Sequence, residues 1–421
     1  MKSGLENKLI FKKKLIYGFK WIGIGNLIKT VISVILPFYL AIYIAPSELG
    51  KLAIVMIIYN FINMAFRPAF GEARIQIGDG YDIKKVDDVI FTINLLKMIL
   101  ITFFLYSLIP YINNFYNENF NNLFYILILI NFISSLKSPR IYILSKNLDF
   151  KRNILMEVIP SLIGSIAGLI FAYFTKDVAS ILYATVISSI LRVFFSQYFA
   201  IYYYKISFQF HLLKYIFSFG LWVMIERLII SIGQNIDKII LSLTLDLYWV
   251  GIYQIGKSLG YRLFNLLNEI LNGIFFPLLS KMKNSKNISI KKINKIVLMV
   301  FLSGILLSLI ALFIIPYITN FLGEQWIKSK EISLYLVSGG LLMFISNFIL
   351  RSVFKAFGNA KIVATTELYK TITLCFLITT LGHFYQLSGI IFALILSEFL
   401  IFIYVVFNLK KLFQCLKFKF K

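Results

Sequence analysis

The sequence predicts an all-α polytopic membrane protein, with about 12 transmembrane helices in two parallel six-helix repeats around a central cleft. Three observations carry this expectation. The 421 residues are 59% hydrophobic and 17% aromatic, with a mean hydropathy of +0.82. That composition is far from the balance of a soluble domain. Apolar stretches of about 20 residues, the length needed to cross the hydrocarbon of a bilayer, recur throughout the chain. Finally, Trp21 and Gly50 reappear as Trp222 and Gly251, both pairs 29 residues apart and offset from each other by 201. Each tryptophan opens a long apolar run, and each glycine lies in a short turn that starts the next run (45–50 and 246–251). Two equivalent halves that can rock about a shared cleft are a common signature of membrane carriers.

Taken in order, apolar runs bounded by polar and turn-forming residues predict spans at 15–44, 49–66, 89–110, 123–144, 154–174 and 178–203. The second repeat predicts spans at 216–243, 249–278, 293–318, 332–354, 362–381 and 386–408. The repeats therefore divide at 1–210 and 211–421. Six is even, so both halves start on the same side, and their pseudo-twofold axis runs along the membrane normal. The loops 67–88 and 280–292 are the longest between spans on the basic side. The second, rich in Lys and Asn, reads as a solvated linker or an amphipathic surface helix.

Forty-three Lys and Arg against 19 Asp and Glu give a net charge of +24. In a soluble protein this would suggest a nucleic-acid partner. Here the basic residues collect in alternate loops: the N-terminus, 67–85, 137–152, 205–214, 281–295, 355–361 and the tail 410–421. The turns between them carry almost none. The positive-inside rule places both termini in the cytoplasm, and attraction to anionic membrane lipid follows from the same pattern. No nucleic acid is expected. Two cysteines and two histidines provide no disulfide, metal or cofactor framework. The first helix reads as an uncleaved span rather than a signal peptide. Gly78-Asp79-Gly80 is a turn and no Walker pattern occurs, so nucleotide hydrolysis is excluded.

Polar residues inside the spans are the candidate site. Asn26, Thr30, Ser33 and Pro37 share one face of the first span, with Lys29 beside it. Offset by 201, the seventh span presents Arg227, Ser231, Gln234 and Lys238. The second span gives Asn60, Asn63 and Arg67. The eighth gives Tyr261, Asn265, Asn268 and Asn272, flanked by Lys257 and Arg262. A mid-membrane charge costs about 2.5–3.5 kcal/mol on insertion scales, so Lys29, Arg227, Lys238, Lys257 and Arg262 need a reason to be there. One reading is a hydrated cationic cleft, in which Lys and Arg meet phosphate while Asn and Tyr meet sugar hydroxyls. The other is structural pairing with Glu226, Asp237 and Glu269, the acids that could also couple an ion. Lys97 and Arg192 read as residues that snorkel or brace the bundle. Glu157, Glu367 and Glu398 read as isolated packing residues, with a proton or sodium site as the alternative.

Several segments resemble the polysaccharide flippases of the multidrug/oligosaccharidyl-lipid/polysaccharide exporter superfamily, in its O-antigen and capsule branch with a MATE-like fold. They are Phe219-Gly220-Leu221-Trp222, Asn235-Ile236-Asp237-Lys238-Ile239-Ile240-Leu241, Val250-Gly251-Ile252-Tyr253 and Phe276-Pro277-Leu278-Leu279-Ser280 in the second half. Gly18-Phe19-Lys20-Trp21, Leu49-Gly50, Phe70-Gly71-Glu72-Ala73-Arg74-Ile75-Gln76 and Leu148-Asp149-Phe150-Lys151-Arg152 carry the likeness in the first. The resemblance implies a non-enzymatic carrier that moves an undecaprenyl-pyrophosphate-linked glycan between leaflets. A polysaccharide polymerase and a chain-length regulator are its expected protein partners. Lys238 stands where the family pattern has an Arg, which removes bidentate phosphate contact there. Lipid II flippases usually carry two further spans, which favours the O-antigen branch. Two rivals are an ion-coupled multidrug or metabolite exporter and a membrane enzyme. The second would need catalytic residues in sizeable outward loops, and 110–122 and 320–331 are short.

Overall fold

The computed structural model describes Gly25, Ile28 and residues 36–66, 83–146, 149–284 and 290–419. All regular structure among them is helical. After a helical stretch at 36–43 come α1 (Pro46–Ala65), α2 (Ile83–Tyr116), α3 (Asn121–Ser135), α4 (Ile141–Lys146), α5 (Phe150–Thr175) and α6 (Ala179–Phe199). An extended segment, 200–209, leads to α7 (Phe210–Thr244), α8 (Leu247–Asn284), α9 (Ile290–Leu322), α10 (Ile327–Phe348) and α11 (Ala360–Lys419). A π-helical segment, Ile349–Phe354, prolongs α10.

Among the described residues, eight helices are long and apolar enough to cross a membrane. Their outward faces are apolar too. On α9, Leu298, Leu302, Leu306, Leu309 and Phe313 form an exposed stripe, while Ile293, Ile296, Val300, Gly304, Ala311 and Ile315 are buried behind it. In water such a stripe would be a liability; in lipid it is the expected surface.

Two predicted boundaries move. The span expected at 123–144 ends at Ser135 and resumes only as the short α4. The reason is local: Pro139 has no N–H to donate and disfavours helix in the residue before it, so the chain turns through 136–140. The spans expected at 362–381 and 386–408 run into one another as α11, broken only at Gln386, whose φ is 49° and ψ −127°. At that break Gly389 packs directly on the Leu381 carbonyl, an approach that a side chain would block.

The chain divides into two compact units, Met1–Ile44 with Val55–Leu228, and Ala45–Ile54 with Ile229–Lys421. In the first unit the most extensive packing is α5 on α6. It is made possible by Gly164 and Gly168, a small-xxx-small pair. A Cβ on Gly164 would lie 2.6 Å from the Ala184 carbonyl, and one on Gly168 2.7 Å from the Ala184 Cβ. In the second unit the same device joins α8 to α10, with Gly256 and Gly260 lying against Ile332 and Leu336. Also in the second unit, the starts of α1 and α8 meet reciprocally. Gly50 abuts the Leu247 carbonyl and Gly251 abuts the Pro46 carbonyl. Both contacts are related by the same offset of 201 residues as the sequence repeat.

Candidate functional site

In the first unit a cavity of about 540 Å³ opens among α1, α2, the 136–142 turn, α5 and α6. Each element presents a polar face to it at helical spacing: Asn94 and Lys97 from α2, Asn153 and Glu157 from α5, Ser189 and Arg192 from α6. Tyr59 and Asn63 come from α1, and Ser134, Lys137 and Ser138 from the end of α3 and the turn after it. All these positions lie toward the helix ends that adjoin the basic segments 67–85, 137–152 and 205–214. Its volume falls in the range of about 300–1,000 Å³ typical of small-molecule sites.

Among the described residues that line this cavity, Glu157 is the only acidic one, against Lys97, Lys137 and Arg192, a formal charge of +2 for those four side chains. Lys137 Nζ donates to Glu157 Oε1 at 3.0 Å, and Arg192 Nε lies 3.5 Å from Oε2. Arg192 is oriented by a hydrogen bond from Nη2 to Ser161 Oγ at 2.9 Å; Ser161 in turn donates to the Glu157 carbonyl at 2.7 Å. All three charged groups are only partly buried, so the pairs are screened and worth little as stability. Pro160, one turn on from Glu157, leaves the Met156 carbonyl without its helical donor, which loosens α5 at the cavity wall.

The wall formed by the 136–142 turn is pinned by the extended segment that follows α6. Ser138 N–H donates to Ser196 Oγ at 3.0 Å, and Ser138 Oγ donates to the Ala200 carbonyl at 2.7 Å. Arg140 donates to the buried Asp87 at 3.3 Å and to the Ile201 carbonyl at 2.7 Å. Tyr202 donates its hydroxyl to Asp88 at 2.7 Å, Tyr204 to the Leu136 carbonyl at 2.7 Å. Burial, then the Asp88 hydrogen bond, pushes the Tyr202 phenol well above its ordinary range, so it stays a donor at any physiological pH.

In the second unit two of the candidates from the seventh and eighth spans, Asp237 and Lys257, are joined to each other. Asp237 is fully buried on α7. It accepts hydrogen bonds from Tyr253 and from the Lys257 ammonium, both on α8. Lys238 turns instead to Asn235 Oδ1 at 3.3 Å. Lys257, expected to line a cleft, and Asp237, expected to couple an ion, are thus paired with each other. Buried Asn268 donates to the Phe344 carbonyl at 3.1 Å, while its own Oδ1 and the buried Tyr261 hydroxyl meet no partner among the described residues. Asn60, Gln234, Asn265 and Glu269 are exposed, and Arg227 and Arg262 are half-buried. Asn26, Lys29 and Arg67 lie outside the described residues, as does the side chain of Glu226. Glu398, read as isolated, is buried and paired with Lys370 at 2.7 Å.

Sequence reading did not single out the first-unit cavity. Lys97, Arg192 and Glu157 were each visible as intramembrane charges, but they stand on three helices, and no periodicity within one helix joins them. The signal that was present is the i, i+3 or i+4 polar spacing on α2, α5 and α6.

The same architecture occurs in solved structures. The inward closed conformation of the lipid II flippase MurJ matches with a TM-score of 0.71 at 17% identity, over 92% of this chain and 87% of that one. The inward-facing conformation of a multidrug resistance MATE family transporter of the MOP superfamily matches with a TM-score of 0.62 at 13% identity, over 90% and 95%. These likenesses show the fold. In sequence, the teichuronic acid biosynthesis protein TuaB of Bacillus subtilis (strain 168) is 26% identical over 347 residues, covering 80% of this chain and 70% of the relative. The polysaccharide biosynthesis protein profile matches residues 39–331, more than half of the sequence, and the chain therefore belongs to the polysaccharide biosynthesis protein family.

Proposed function

We propose that the protein is a flippase of the bacterial inner membrane. It carries an undecaprenyl-pyrophosphate-linked oligosaccharide, an O-antigen or capsule repeat unit, from the cytoplasmic to the periplasmic leaflet by alternating access. The observation that supports this reading most is the cationic, hydroxyl- and amide-lined cavity of the first unit, set among helices that expose many large apolar side chains. An unshielded diphosphate would face a Born cost on the order of tens of kcal/mol in hydrocarbon. A cationic polar site replaces the lost water, while Asn and Tyr side chains both donate to and accept from sugar hydroxyls. An inside-negative potential assists outward movement by about 2.3 kcal/mol per charge per 100 mV. A polysaccharide polymerase and a chain-length regulator are the protein partners this role calls for.

An ion-coupled exporter of small cationic compounds is the second reading, and three cations around one carboxylate disfavour such a cargo. The test is deletion of the gene and complementation. The flippase reading expects lipid-linked repeat units to accumulate facing the cytoplasm and surface polysaccharide to disappear, with drug sensitivity unchanged. Normal surface polysaccharide in the deletion strain would overturn it.

A further inference from the structure

We propose that Glu157 is a built-in counter-anion: it holds the Lys137–Arg192 pair until the phosphate of an incoming anionic headgroup displaces it. This rests on the flippase reading for the source of the phosphate, but the phosphate site itself stands on geometry. The Glu157 carboxylate places one oxygen on Lys137 and the other beside Arg192, the two-cation bridging arrangement in which phosphate oxygens are commonly held. The two cations come from different elements, the 136–140 turn and α6, so no single helix supplies the site.

Three features mark this carboxylate as a displaceable ligand rather than a structural tie. All three side chains are partly exposed to the cavity, Lys137 at 26% and Glu157 and Arg192 at 33% each. Among the described residues Arg192 Nε, itself buried, has no hydrogen-bond acceptor, Glu157 being an ion-pair distance away; a donor is held ready. And Arg192 does not depend on Glu157 for its position, because Ser161 holds Nη2. The turn bearing Lys137 is likewise anchored independently, through Ser138 and Arg140.

The charge count fits the ligand class. With Glu157 in place the four charged side chains among the described lining residues sum to +2, and a diphosphate esterified at both ends, to a lipid and to a sugar, carries one negative charge on each phosphate. A doubly charged diphosphate therefore outcompetes a single carboxylate for the cation pair, while Glu157 seated on the pair keeps the empty site from binding lone phosphate or chloride tightly. Binding thereby breaks the ion pairs from Glu157 of α5 to the turn and to Arg192, next to the point where Pro160 already weakens α5, while the Arg192–Ser161 hydrogen bond still joins α6 to α5.

The experiment uses the purified full-length protein in detergent, with inorganic pyrophosphate and farnesyl diphosphate as probes and farnesol as control. Glu157→Gln keeps the shape and removes the charge; it is expected to bind both diphosphates at least about tenfold more tightly than wild type. Lys137→Ala and Arg192→Ala are expected to weaken both about tenfold or more, and Arg192→Lys to weaken them while keeping the charge. Stronger binding of farnesyl diphosphate than of pyrophosphate points to a lipid-borne source, and the reverse to a soluble one. Unchanged or weaker binding in Glu157→Gln would overturn the proposal even if the gene deletion abolished surface polysaccharide. Conversely, the predicted binding pattern with normal polysaccharide in the deletion strain would leave the site standing and remove the flippase reading.

Discussion

Asp237 and Lys257 show what pairing does to a charge in this environment. The carboxylate is wholly buried, and Lys257 and Tyr253 complete its shell. Removing either partner strands the other charge in a medium that solvates it poorly, which typically costs about 3–5 kcal/mol. Asp237→Asn and Lys257→Met should each lower the thermal stability of the detergent-solubilised protein by that order, whereas the double variant should recover most of the loss. Single variants no worse than the double would show that the two charges are not coupled. At Tyr202 the hydrogen bond to the Asp88 side chain should make Tyr202→Phe cost about 1.5–3 kcal/mol. The sign of its pH dependence follows from the raised phenol pKa. The contribution is complete below the ordinary tyrosine range and lost only as pH rises through the raised value. Stability measured from pH 6 to 9 should therefore show no loss from this group, where pH 6 to 9 is roughly the span below free tyrosine ionisation.

Helices in this chain approach one another through glycine, because lipid offers no hydrophobic reward for bringing apolar side chains together. The closest approach is the reciprocal one at the starts of α1 and α8, where even a methyl group at Gly50 or Gly251 would strike a backbone carbonyl. Gly50→Ala and Gly251→Ala should each destabilise by about 1–3 kcal/mol, and by similar amounts because the two positions are equivalent in the repeat. Unequal losses in thermal unfolding would argue that the contacts are not equivalent. The opposite effect belongs to Gln386, whose backbone conformation is one that glycine adopts without strain. Gln386→Gly should raise stability by about 1 kcal/mol, and Gln386→Val should lower it. A stabilising valine would show that the break in α11 relaxes elsewhere.

For the whole molecule, the alternation of basic and neutral loops predicts that both termini face the cytoplasm. A C-terminal green fluorescent protein fusion should therefore fluoresce, and a C-terminal alkaline phosphatase fusion should be inactive. Active phosphatase would reverse the orientation. The fold class was legible in the sequence because a run of apolar residues reports directly on the solvent each residue meets. The offset between Trp21–Gly50 and Trp222–Gly251 was legible as duplication for the same local reason, and resemblance of ordered segments pointed to the family. The end of α3 was missed by nine residues (Ser135 against 144) because Pro139 interrupts a run that remains apolar on both sides. What a sequence cannot express is which polar faces converge. Asp237 and Lys257 stand 20 residues apart on two helices of a hairpin. Glu157 meets Arg192 where Gly164 and Gly168 let α5 lie close on α6, and it meets Lys137 through the turn that Ser138 and Arg140 anchor. Hydropathy and charge are properties of single residues in contact with solvent or lipid, so the chain itself determined the all-helical membrane fold and the family. The cavity depends on side-chain distances across helices, and those were decided only when the helices packed.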